Sequence, residues 1–511
     1  MPSNTIRIAR NTLMLYFRQI LIMLVSLYTV RVVLNTLGAE DYGIYNVVAG
    51  VVTMFGFLSG SMASASQRYF SFEIGRGDFE QLKKTFSLSF LIYVLIAALV
   101  LLLAETVGLW FVNNKLVMPP ERMDAARWVY QFSILSFLFT VLTMPYMAAI
   151  IAHEDMNIYA YMSIIEAVLK LGIVFLLGVI SADKLQLYGI LLCMVAVVNT
   201  TIYRTICTKK YQECRFGFYW NKDFFREITS FISWNLFGSI AEIAKTQGIT
   251  IILNVFFGVI VNAARGLSIQ LDGAVKSFSQ NFTAAVRPQI TKEYAAKNYD
   301  GMTKLTFRSA KISYFLMLLF SVPLLFEMPY ILKLWLKNPP AYSLIFMSLM
   351  LIDSLLYSVS VPIMYVAQAT GKIKLYQSVV SSIILLDVPV SFVLLKQGLP
   401  PYTVLIVRII LTIIAFFARL IMIKRLVPFS ITNFSKYVIA PVLFVSFLSV
   451  ILPSIIKYIF EESFFRFCIS FILSICWTLV CIYFIGLKGN ERIYIKNFVI
   501  QKLKISKYME D

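Results

Sequence analysis

Apolar runs of about 20 residues recur from one end of this 511-residue chain to the other, and a run of that length crosses a bilayer as a helix. In lipid every backbone N–H and C=O must find its partner inside the protein, which a helix achieves within its own segment. The sequence therefore predicts an all-α polytopic membrane protein with no room for a sizeable soluble domain. Composition agrees: 59% of residues are hydrophobic and 14% charged, against about 45–50% and about 25% in soluble domains.

About fourteen transmembrane helices are expected, with cores at 11–34, 43–65, 85–112, 127–152, 158–180, 188–207, 228–257, 259–285, 306–331, 343–369, 375–395, 402–423, 437–457 and 464–485. The basic residues orient them. With the N-terminus in the cytoplasm and the spans alternating, 30 of the 46 Lys and Arg fall on inner segments, nine on outer segments and seven inside spans. That asymmetry is the positive-inside pattern. It places both termini in the cytoplasm and makes the net charge of +19 an inner-face signal, not a nucleic-acid footprint.

The first apolar run is no cleavable signal peptide: it is too long, contains Arg18, and no small-x-small site follows. None of the six cysteines falls in an expected outer loop, so structural disulfides are not expected. The lone histidine, His153, sits with Glu154 and Asp155 in an inner turn and reads as solvated, not as a metal ligand. No P-loop, HExxH or Ser/His/Asp arrangement is present. The chain is read as neither an ATPase nor any other enzyme, with no cofactor and no metal.

The chain also repeats itself. Val32–Asn35 is echoed by Ile251–Asn254, Gly77–Phe86 by Tyr299–Phe307, and Pro145, Tyr159 and Phe175 by Pro362, Tyr376 and Phe392, all displaced by 217 to 222 residues. An even number of helices per repeat makes the halves parallel, with a substrate site expected between them. The expected organisation is an N-terminal six-helix bundle (1–207), a cytoplasmic linker (208–227), a second six-helix bundle (228–424), an extra helix pair (425–486) and a basic cytoplasmic tail (487–511).

Function is sought in the charges that these spans carry, since each costs at least about 2.5–3.5 kcal/mol at the bilayer centre. They are densest between Ile228 and Arg287, two expected spans joined by a turn near Gly258. Glu242 and Lys245 lie on the first span; Arg265, Asp272 and Lys276 share one face of the second with Gln280 and Thr283. Such a stripe lines a cavity. The bland alternative is local ion pairing, since Glu242 and Lys245 are three residues apart and Asp272 and Lys276 four. Glu166 and Lys170 form another such pair. Arg18 and Arg31, toward the inner and outer ends of the first span, could hand on a phosphate or could snorkel to the interfaces. Asp353, Asp387 and Arg408 are candidates for ion coupling or for ion pairing. Asp387 occupies the repeat position of Lys170, beside Pro389, and could equally pair with Arg408 or Lys170. Seven intramembrane bases against these five acids leave the interior slightly positive. Glu40-Asp41 suits a membrane glycosyltransferase acting on lipid-linked sugars, but the outer loops are too short for that class.

The stretch Leu37-Gly38-Ala39-Glu40-Asp41-Tyr42-Gly43-Ile44-Tyr45, followed by Ser66-Gln67-Arg68-Tyr69-Phe70-Ser71 and Gly75-Arg76-Gly77-Asp78, resembles the Wzx-type polysaccharide flippases. These belong to the superfamily shared with the MATE multidrug exporters and the lipid II flippases. The resemblance covers essentially the whole chain. It implies a MATE-like fold and flipping of undecaprenyl-pyrophosphate-linked oligosaccharide across the bacterial inner membrane for O-antigen, lipopolysaccharide or capsule synthesis. Transport would be alternating access driven by an ion gradient. Implied partners are the lipid-linked oligosaccharide, membrane lipid, and polysaccharide polymerases and glycosyltransferases. An ion-coupled multidrug exporter of the same fold is the alternative; exporters of cationic drugs favour acidic cavities, and this interior leans basic.

Overall fold

The computed structural model describes residues 2–53, 55–114, 119–180, 183–336, 339–487, 489 and 492. Most of the expected basic tail lies outside these residues. Every element among them is helical: α1 (Pro2–Thr53), α2 (Gly56–Arg76), α3 (Phe79–Asn114), α4 (Pro120–Ala152), α5 (Met156–Val179), α6 (Lys184–Lys210), α7 (Lys222–Ala295), α8 (Tyr299–Leu336), α9 (Ser343–Thr370), α10 (Lys374–Lys396), α11 (Thr403–Leu426), α12 (Ile431–Ile459) and α13 (Phe464–Gly486). By length and composition, eleven described helices can cross a membrane. Three of the fourteen expected spans fall short of that measure. The first is apolar enough only over Asn11–Ser26. The second is divided between α1 and α2, and the eighth, after Gly258, carries Arg265, Asp272 and Lys276 within twelve residues.

The two longest helical runs are each broken at a glycine: Gly38 in α1 (φ 81, ψ 167) and Gly258 in α7 (φ 75, ψ −166). This backbone region is essentially closed to residues with a Cβ. At Gly258 the chain reverses. The Arg265 side chain reaches back to donate to the Thr246 carbonyl, 3.1 Å away, although nineteen residues of straight helix would span roughly 28 Å. No atom lies near a Cβ added at Gly258, so the cost of Gly258→Ala is backbone strain alone. Thermal unfolding of the purified protein should show a loss of about 1–3 kcal/mol.

The internal repeat is visible in the helix boundaries. The breaks at Gly38 and Gly258 are 220 residues apart, and α-helical starts at Phe79, Met123 (after the 3-10 turn that opens α4), Met156 and Lys184 recur at Tyr299, Ser343, Lys374 and Thr403, displaced by 218 to 220. The described chain packs as two compact units. The first holds 1–240 together with 284–298 and 368–378; the second holds 241–283, 299–367 and 379–511. Phe70, Phe86, Tyr146 and Tyr203 centre one core of the first unit. Ile249, Leu253, Ala264, Phe346 and Leu405 centre that of the second.

Helices α12 and α13, which lie outside the repeat, pack in the second unit on polar contacts to α8. The Tyr314 and Ser446 hydroxyls are 2.7 Å apart, and Arg466 meets Glu327 at 3.0 Å. Helix α13 turns a stripe of Ser470, Ser474 and Thr478 inward and leaves Phe464, Phe465, Ile472 and Phe484 exposed. Small polar residues at the packed face and large apolar ones outside are the arrangement lipid favours.

Candidate functional site

In the first unit, α1, α4, α5 and α6 enclose a cavity of about 340 Å³. Its wall is rich in hydroxyls from Ser133, Ser136, Thr140, Thr143, Ser163, Tyr159 and Tyr203. Glu166 and Lys170 line it as an ion pair at 2.7 Å, with Asn199 donating to Glu166 at 3.3 Å. Arg18 approaches the same wall, its guanidinium 4.7 Å from the Tyr159 ring centroid and 3.4 Å from the Ser163 hydroxyl. Among the described residues, Arg18 has no carboxylate at ion-pair distance. The Arg31 side chain lies outside the described ones.

In the second unit the charges gather around Tyr357 and a void of about 20 Å³ lined by Glu242, Lys245, Asp387, Arg408 and Arg419. A void of that size holds about one water. Arg408 pairs with Asp353 at 2.7 Å, and Thr412 donates to the other Asp353 oxygen at 2.6 Å. Lys245 pairs with Glu242 at 2.7 Å. Lys276 pairs with Asp272, also at 2.7 Å, and the Ser354 hydroxyl donates to Asp272. Arg265, 3% exposed, bonds among the described residues only to neutral oxygens, those of Thr250 and Thr246. Asp387 accepts from Ser391 at 3.2 Å and, among the described residues, meets no cation at ion-pair distance. Of the two partners suggested for it by sequence, Arg408 is taken by Asp353 and Lys170 by Glu166. Along the expected stripe, Arg265, Asp272 and Thr283 are buried, Lys276 is half-buried and Gln280 is exposed.

Three residues belong to this picture that the sequence reading passed over. Arg419, one of the 30 basic residues counted on inner segments, is 2% exposed, has two guanidinium nitrogens without hydrogen-bond partners among the described residues and stands 5.7 Å from the Tyr357 ring centroid. Glu327 and Arg466 form a buried pair; a glutamate inside the α8 run was the available signal. With Arg419 counted, five cations (Lys245, Arg265, Lys276, Arg408, Arg419) face four carboxylates (Glu242, Asp272, Asp353, Asp387) in the second unit. In the first, Arg18 and Lys170 face Glu166.

Asp41, the acid that suited a glycosyltransferase, is held by Arg122, which pairs with Asp41 and Asp183 at 2.5 Å each. Asp183 also caps α6 by accepting from the Leu185 and Gln186 amides. Asp41 is thus part of a tie between helix ends.

The MatE family model matches residues 15–176 and 238–393. Among solved structures, an outward-facing multidrug resistance MATE family transporter of the MOP superfamily is 12% identical, with a TM-score of 0.70 over 84% of this chain and 96% of that one. A mutant of the Vibrio cholerae MATE transporter VcmN is 15% identical, with a TM-score of 0.64 over 83% and 97%. A MOP superfamily transporter from Pyrococcus furiosus, reported with a binding pocket of reverse polarity that suggests a different function, is 12% identical, with a TM-score of 0.65 over 83% and 96%. At these identities the likeness establishes a shared fold. No curated protein matches the sequence.

Proposed function

The chain belongs to the MatE family of membrane transporters, and on that premise we propose that it flips an undecaprenyl-pyrophosphate-linked oligosaccharide across the bacterial inner membrane by alternating access. The observation that carries this reading is the cationic surplus in each unit. Arg18 in the first, and Arg265 and Arg419 in the second, meet no carboxylate at ion-pair distance among the described residues. Burying a charge without a counter-charge is costly, so a chain that keeps several favours an anionic cargo. A pyrophosphate joined to a polar glycan supplies negative charge and hydrogen-bonding groups to such a lining. Pocket polarity is also what suggested a different function for the Pyrococcus furiosus transporter, and a basic lining here supports an anionic cargo over a cationic drug.

The test is reconstitution of the full chain in proteoliposomes. Flipping of lipid-linked oligosaccharide is followed by its accessibility to an impermeant reagent, and ethidium efflux is followed in parallel. The expected result is flipping well above protein-free vesicles with no ethidium efflux. Ethidium efflux without flipping would replace this reading with multidrug export.

A further inference from the structure

The two sequence segments around Arg68 and Arg76 have no part in the charged interiors above, yet they build a cavity of their own. At the junction of α2 and α3, Arg68, Tyr69, Phe72, Glu73, Arg76 and Asp78 meet Gln81, Phe224, Glu227, Tyr294 and Thr370 around an open cleft of about 480 Å³. All of these residues belong to the first unit. The volume lies in the about 300–1,000 Å³ range of small-ligand sites.

Its chemistry is specific. Arg68 is 6% exposed. Its guanidinium lies 4.5 Å from the Tyr69 ring centroid and 4.9 Å from that of Phe72, and it donates to the Ala369 carbonyl at 3.0 Å. Among the described residues its buried Nε has no hydrogen-bond partner. Glu73 is likewise buried with one oxygen lacking a hydrogen bond, 3.8 Å from Arg76. The Tyr69 hydroxyl donates to Glu227 at 3.2 Å. Three carboxylates (Glu73, Asp78, Glu227) against two guanidiniums disfavour a polyanion such as a nucleotide. Buried donors and acceptors left open disfavour a purely apolar ligand. Aromatic walls beside mixed donors and acceptors suit a molecule with apolar C–H faces and a dense set of hydroxyls.

We propose that this cleft is a glycan-reading site, which takes the sugar portion of the lipid-linked cargo before translocation. The inference rests on the flippase reading. The cleft lies at the basic end of α2 that the positive-inside pattern assigns to the cytoplasm, where the cargo's sugars stand before flipping. Phe72 offers a ring to a sugar, and Arg76, Gln81 and Glu227, which line the cleft, offer donors and acceptors to its hydroxyls. Pyrophosphate is left to the cationic interiors.

The test compares two cargos in proteoliposomes with the full chain. One is the source organism's own undecaprenyl-pyrophosphate repeat unit; the other is undecaprenyl-pyrophosphate carrying a single N-acetylglucosamine. The variants are Phe72→Leu, which keeps the apolar packing, and Gln81→Ala, a smaller change on the same wall. For the full repeat unit each variant should raise the half-saturating concentration between about two- and tenfold, the ratio that one lost aromatic or polar contact produces. The single-sugar cargo should be unaffected. Equal shifts for both cargos, or no shift for either in both variants, would overturn the glycan-reading site while leaving the flippase reading in place. Failure of the unmodified protein to flip either cargo would remove the flippase reading and this inference with it.

Discussion

Asp353→Ala is expected to destabilise the protein by about 3–5 kcal/mol, the usual consequence of removing one partner of a buried ion pair. Asp353 is 3% exposed and its partner Arg408 8%. The pair closes at 2.7 Å beside a void that admits about one water, so little water is available to the arginine stripped of its carboxylate. Two other acids line the same void: Glu242, already held by Lys245, and Asp387, which has no ion pair among the described residues and so is free to take over. The variant lacking both, Asp353→Ala with Asp387→Ala, should therefore be destabilised by more than the sum of the two single changes. The paired neutral replacement Asp353→Asn with Arg408→Gln leaves no orphan charge and should recover most of the loss. Thermal unfolding of the purified protein in detergent measures all four. A loss under about 1 kcal/mol for Asp353→Ala would place the pair in the range of solvent-exposed ion pairs and contradict its burial.

What could be read from the sequence and what could not divide along a physical line. Long apolar runs fix helices because lipid allows little else, and the near-constant displacement of weakly similar residues located the repeat that the helix starts display. Pairing across helices was another matter. Local pairs such as Asp272 with Lys276 follow from helix geometry, but Arg408 joining Asp353, 55 residues away, depends on how α9, α10 and α11 are rotated about their axes. Hydropathy is blind to that rotation. The same blindness hid Arg419, counted as an inner-face charge because it lies near the basic end of α11. The hydroxyls around the first unit's cavity raised no signal for a different reason. Ser136 and Thr140 donate to carbonyls one turn back, at 2.8 and 2.9 Å, so a helix carries them at little cost whether or not a cavity lies beside them.

The Asp272→Asn, Lys276→Gln double variant should insert and reach normal levels yet fail in transport. Single changes cannot separate these effects. Asp272 is 4% exposed and binds both Lys276 and Ser354, so losing either charge alone leaves the other orphaned in the interior and confuses folding with function. Removing both charges leaves the hydrogen-bonding shape and takes away the Lys276 ammonium, which stands 6.0 Å from the Tyr357 ring centroid, a ring that Arg419 also approaches. The net surplus of the second unit stays at one, since a cation and an anion go together. What changes is the distribution: Lys276 is only half-buried and is the most exposed cation of the cluster after its own pairing, hence the one best placed to exchange Asp272 for a phosphate oxygen. In cells lacking the native gene, the double variant should show normal protein levels, lost surface glycan and lipid-linked precursor retained on the inner leaflet. Normal surface glycan, both in this variant and in Glu242→Gln with Lys245→Gln, would mean that the ion pairs serve packing alone and that pyrophosphate is carried elsewhere.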